Sequence, residues 1–179
     1  MSYRKYLQDY QIEEYVDEKG RVRNRAIYVA GDYVLSPTIP KNDRYYMLAA
    51  TILSWLTLIG SLIPRTHASE LAYVILPFVF SALPMFFMTG AVVALLLDNE
   101  QLTRERADKI VNRIPLCPLI ATVLSGAAFI GLVVSAIISW KDMLVGDIFF
   151  GALSLLTAAC ASFVYIKCRG LKANKVDTE

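Results

Sequence analysis

The residue types that do chemistry are few in this chain, and their spacing is poor. Its one histidine, His67, stands three residues before Glu70. That pair could offer two ligands to a cation, whereas zinc asks for three or four protein ligands. Ser125, within Leu124-Ser125-Gly126-Ala127, would need a base beside it to act as a nucleophile, and no apolar stretch contains a histidine. Cys117, Cys160 and Cys168 are odd in number and far apart, which gives neither a disulfide framework nor a thiol pair. Cys168, next to a membrane edge, is open to acylation. There is no His-Glu metalloprotease pair and no phosphate-binding glycine loop. The expectation is therefore a protein that is not an enzyme, with no catalytic residue, no cofactor and no metal.

Hydroxyls are the other polar groups that repeat. Thr51, Ser54, Thr57 and Ser61 form one stripe, Thr122 and Ser125 a second, Ser154 and Thr157 a third. Three converging stripes could line a narrow path for a small solute, the alternative function considered below. Each hydroxyl can equally bond the carbonyl one turn back along its own helix. Ion-coupled transporters usually hold an acid, a base or a histidine in mid-span. Here Asp98, Glu70 and Asp147 stand only at the ends of apolar runs.

The elements that must position these groups are four uncharged apolar runs, at about 46–63, 71–97, 116–139 and 148–166. A bilayer core about 30 Å thick is crossed by about 20 helical residues, so each run is long enough to span. Of the 18 Lys and Arg, all but Arg65 and Lys141 fall in 1–44, 98–115 and 167–179. Basic residues near span ends stay in the cytoplasm. Both termini are therefore expected there, in a plasma membrane, most simply a bacterial one. Residues 1–44 mix basic and acidic side chains without a 7–15-residue apolar core, so the first span is expected to remain as an anchor. Tyr45, Tyr46, Trp140 and Tyr165 lie near span ends, where amphipathic rings prefer to sit.

Two features suggest how the spans pack. The second run carries Pro77 and Pro84, seven apart and on nearly one face, where each removes a backbone hydrogen bond and bends the helix into a kink or hinge. The third carries small residues at four-residue intervals, Ala127, Gly131, Ser135 and Ser139, and the fourth carries Ser154, Ala158 and Ser162. Small residues let membrane helices approach closely. The short loop between these spans predicts that the two ridges face one another, or else that one of them mediates homodimerisation.

Outside the runs, 12–16 and 22–35 are rich in Val, Ile and Tyr around the turn sequence Asp17-Glu18-Lys19-Gly20, which predicts a β-hairpin. It would set Glu13 and Glu14 across from Arg23 and Arg25. A lone hairpin is marginal in water, so it should lean on the membrane face, another copy or a partner. Residues 98–113 read as an amphipathic helix capped by Asp98 or Asn99, with Glu100–Arg104 and Glu105–Lys109 pairs. Pro115 and Pro118 are expected to end it before the third span. Lys167, Arg169, Lys172 and Lys175 follow the last span, where juxtamembrane cations contact anionic headgroups.

The sequence thus predicts an all-α integral membrane protein: a four-helix transmembrane bundle over 45–166, a cytoplasmic 1–44 segment with a small hairpin, and a basic 167–179 tail. Its expected partners are the lipid bilayer and a protein or second copy, met through 1–36 and 98–113. The basic residues are too dispersed for nucleic acid. The favoured function is an accessory or scaffold subunit of the plasma membrane, the alternative an oligomeric small-solute transporter or channel.

Overall fold

The structure, a computed structural model, describes residues 7–16, 21–29, 31, 33–97, 102–139 and 143–175, with backbone alone at 68, 69, 109 and 112. The predicted turn at 17–20, the caps Asp98 and Asn99, Glu100, Trp140 and Lys141 lie outside the described residues. So does the side chain of Lys109.

The chain is mostly helical with a small N-terminal hairpin. Strands β1 (Tyr10–Val16) and β2 (Val22–Tyr28) pair antiparallel, with Glu13 opposite Arg25 and Tyr15 opposite Arg23. Alternation of side chains along a strand puts Tyr10, Ile12, Glu14 and Val16 on one face with Tyr28, Ala26, Asn24 and Val22, and the Glu13–Arg25 pair on the other; the expected basic residue across from Glu14 is not there, since Asn24 stands opposite it. Strand β3 (Tyr33–Ser36) does not extend this hairpin, although the sequence reading ran the second strand to residue 35. It pairs instead with β4 (Lys172–Lys175), so the basic tail is tied into a sheet. Gly170, at φ +89°, supplies the left-handed residue that turns the chain from the last helix toward β4.

Helix α1 (Lys41–Ser61) is followed by a 3-10 turn at His67–Glu70. The second apolar run is broken into α2 (Ala72–Phe80) and α3 (Ala82–Leu97). The break falls at Ser81, one turn before Pro84, where proline cannot donate to the Phe80 carbonyl. The Ser81 hydroxyl donates to Phe78 O at 2.6 Å beside the break. Helix α4 (Arg104–Ile138) then runs without interruption through Pro115 and Pro118. The expected division into a connector helix and a separate third span is absent. Its buried stripe Ile110, Ile114, Cys117, Ala121 continues straight across both prolines, and packing along it outweighs the two missing backbone bonds. Helix α5 (Val145–Cys168) packs on α1 and α4, α3 packs on α4 and α1, and α2 on α4. The helices thus close into a ring, with the broken α2–α3 rod opposite α5.

Three rods, Ala72–Leu97, Arg104–Ile138 and Val145–Cys168, are long and apolar enough to cross a membrane. Helix α1 is of spanning length but less apolar, chiefly because it begins with Lys41, Asn42, Asp43 and Arg44, and it also carries the hydroxyls of Thr51, Ser54, Thr57 and Ser61. Those four face inward and are buried, while Ile52, Leu53, Leu56, Ile59 and Ile63 point out. Hydroxyls inside and large aliphatics outside reverse the arrangement of a water-soluble helix.

Candidate interaction surface

The hydroxyl stripes are spent on their own helices. Thr51 donates to Met47 O, Ser54 to Ala50 O, Ser61 to Leu58 O, Thr122 to Pro118 O, Ser154 to Gly151 O and Thr157 to Leu153 O, all at 2.8–3.0 Å. The stripes of α1 and α5 meet once, where Thr57 and Thr157 hydroxyls lie 2.7 Å apart. Trp55 Nε1 adds a bond to Thr89 Oγ1 at 2.9 Å. These groups knit helix interfaces. Ser125 Oγ is buried without a hydrogen-bond partner among the described residues.

The predicted ridges are only partly brought together. On α5, Ser162 Oγ donates to Thr122 Oγ1 at 3.3 Å, and Thr122 Oγ1 lies 3.5 Å from Ala158 O. On α4 the buried line is Ala121, Ser125, Ala128, Leu132 and Ser135. Ala127 is exposed and Ser139 half-buried. Gly131 packs on α2, where an added Cβ would stand 3.2 Å from Val74 and 3.4 Å from the Tyr73 carbonyl oxygen. That carbonyl is the one Pro77 leaves without its helical donor. The close α4–α5 approach falls on Gly151 instead, where a Cβ would come within 2.7 Å of Leu132.

His67 Nδ1 and Glu70 Oε2 pair with one another at 3.3 Å, and no cluster of three metal-ligating side chains occurs among the described residues. At the opposite end of the rods, Lys167 Nζ bonds Asp43 at 3.0 Å and lies 5.9 Å over the Phe163 ring. Arg169, Lys172 and Lys175 are exposed.

The most elaborated polar constellation joins the hairpin to the start of α4. No side chain of Thr103 caps that helix. Instead the Arg104 N–H donates to the Tyr28 hydroxyl at 2.8 Å, and that hydroxyl donates to Gly31 O at 3.1 Å. Burial raises the Tyr28 pKa. Arg104 Nη1 bonds Asp9 Oδ1 at 3.2 Å, and Asp9 is buried. Tyr33 and Leu102 exchange two backbone bonds of 2.9 Å. Arg44 reaches from α1 to Leu95 O at 3.1 Å and so satisfies the last turn of α3, where a cation also suits the helix dipole.

Asp9, Tyr28 and β4 were not singled out by the sequence. The available signal was the richness in Val, Ile and Tyr of 12–16 and 22–35, which pointed to a hairpin without saying what it leans on. The hairpin's base therefore leans on its own chain. Its far end stays uncovered: Ile12 is 74 % exposed, Val16 67 % and Val22 65 %. No protein-family model, curated protein or solved structure matches this chain.

Proposed function

We propose that this chain is a small non-enzymatic accessory or scaffold protein of the plasma membrane. In this reading α1, the α2–α3 rod, α4 and α5 each cross the bilayer, and both termini lie in the cytoplasm. The charge pattern supports that orientation, with 16 of 18 basic residues on one side of the apolar runs. The observation that carries the role is the hairpin. Its base is fixed to α4 through Tyr28 and Asp9, while Ile12, Val16 and Val22 project exposed on the face that also carries Glu14 and Asn24. A lone hairpin gains little by folding in water. One held rigidly at its root and left apolar at its tip is suited to receive a partner protein.

The transporter alternative draws support from the Thr57–Thr157 contact and the unpartnered Ser125 hydroxyl. It is weakened by hydroxyls already engaged with backbone carbonyls. A photo-crosslinking amino acid at Val16, activated in intact cells, tests the two. A discrete crosslinked protein of different mass supports the accessory role and identifies the partner. Absence of any adduct, together with solute flux in reconstituted vesicles that Thr57→Val abolishes, would sink it.

A further inference from the structure

The outer edge of β2 is open. Val29 N–H donates to Asp9 O at 2.9 Å, on the same register that sets Tyr10 opposite Tyr28. Bonded and unbonded pairs alternate along an antiparallel ladder, so the odd-numbered residues bond across the hairpin. The N–H and C=O groups of Val22, Asn24 and Ala26 therefore point away from β1. Among the described residues no strand pairs with that edge, and Arg21 to Ile27 are all exposed. The register has no bulge and β2 holds no proline, so the edge lacks two common guards against a further strand. Its charges are of one sign. Arg23 and Arg25 share a face by alternation, and Arg21 directly precedes the strand. Arg23 is engaged within the chain, so the charge that an added strand meets is argued from Arg21 and Arg25.

We propose that the outer edge of β2 receives an extended acidic segment of a partner protein as a third, antiparallel strand, with its acids across from Arg21 and Arg25. This names the kind of partner for the accessory role proposed above and rests on that reading. Main-chain bonds to Val22, Asn24 and Ala26 supply the pairing, and acids facing the arginines supply the selectivity. Charge and space rule against a second copy. Its β2 would bring one arginine row against another, and like charges facing across strands repel. Its β1 would match in charge, with Glu13 set against Arg25. Hairpins joined that way lie about 10 Å apart, two strand spacings. The helix ring that holds each hairpin is at least two helix diameters wide, about 20 Å. Two such rings standing side by side in one bilayer cannot approach so closely.

The test is binding of fluorescent peptides, as long as β2, to the full chain in micelles. A peptide alternating Glu and Val should bind, and its Lys and Val counterpart should not. With each Glu at an arginine position the Val amides face β2, so N-methylation at Val should abolish binding and N-methylation at Glu should leave it. Arg21→Gln with Arg25→Gln should weaken binding by about threefold to tenfold. Asn24→Pro removes an outward N–H and spares the ladder to β1. It should abolish binding, whereas Glu14→Pro, on the outer edge of β1, should not. The N-methylated peptides decide the matter where either proline disturbs the hairpin. Equal binding of the Glu and Lys peptides, binding untouched by N-methylation at Val, or no binding at millimolar peptide would overturn the proposal. A disulfide formed between two Asn24→Cys copies in membranes would assign the edge to self-pairing and overturn it as well. The crosslinker at Val16 separates the two levels. A discrete partner captured there while the peptides fail sinks the β2 edge alone; no adduct and no peptide binding sinks the accessory role with it.

Discussion

Tyr28 shows how one hydroxyl can replace a helix cap. A helix start leaves unpaired N–H groups that a Ser, Thr, Asp or Asn normally satisfies from the N-cap position. Here the acceptor for Arg104 N–H comes from a strand 76 residues away. Tyr28→Phe keeps the ring against Tyr10, whose centroid is 5.4 Å distant, and removes only the oxygen. A hydrogen bond of this kind contributes about 0.5–1.5 kcal/mol, so exchange of the Arg104 amide should quicken by about twofold to tenfold in hydrogen–deuterium exchange. The pH dependence has a definite sign. Burial lifts the Tyr28 pKa above the ordinary tyrosine value of about 10, so the folded chain holds this proton more tightly than the unfolded one. The stabilisation is complete below about pH 10 and is lost as pH rises through the higher folded value. Tyrosinate absorbance of the parent minus that of Tyr28→Phe should show one group titrating late; a difference curve centred at or below 10 would remove the burial argument.

At the scale of elements, the small-residue ridge shows what a sequence pattern can and cannot locate. Ala127, Gly131, Ser135 and Ser139 recur every four residues, but a helix turns every 3.6, so such a line drifts by about 40° per step. The buried stripe alternates steps of four and three, through Ala121, Ser125, Ala128, Leu132 and Ser135, and so stays on one side. The two lines cross at Ser135, and Ala127 is left outside. Strands β1 and β2 were legible because richness in Val, Ile and Tyr and a turn sequence are local signals. The β3–β4 pairing was not, since Lys172-Ala173-Asn174-Lys175 has no strand signature and its partner lies near the other end of the chain. Continuity of α4 through two prolines was hidden for the opposite reason: a local rule was clear, and burial of Ile110, Ile114 and Cys117 overrode it. The one ridge residue at a tight contact is Gly131. Gly131→Leu should push α4 from α2 and destabilise by about 1–3 kcal/mol, read as a lowered midpoint of thermal unfolding in micelles. Gly126→Ala, with nothing within 4 Å of the new Cβ, should instead gain about 0.5–1 kcal/mol by restricting the unfolded chain.

For the whole molecule the deciding question is whether α1 crosses. Three rods are apolar enough on composition alone, and three crossings would put the termini on opposite sides. The physical case for the fourth is that α1's charges are confined to its first turn, Lys41 to Arg44, while its hydroxyls are buried and bonded to α1's own carbonyls, with Thr57 also meeting Thr157 of α5. A bilayer meets the outward face, and that face is Ile52, Leu56, Ile59 and Ile63. Charge argues the same way, since a three-span layout would split the basic segments 1–44 and 167–179 across the membrane against the usual bias. Four crossings predict that His67→Cys reacts with a membrane-impermeant maleimide on intact cells or spheroplasts, while Leu7→Cys reacts only after the membrane is opened. The three native thiols are buried and should give little background. Labelling of both Leu7→Cys and His67→Cys from outside would remove α1 from the bilayer, and the hairpin, fixed to α4 through Tyr28, would then need a different account of which compartment it faces.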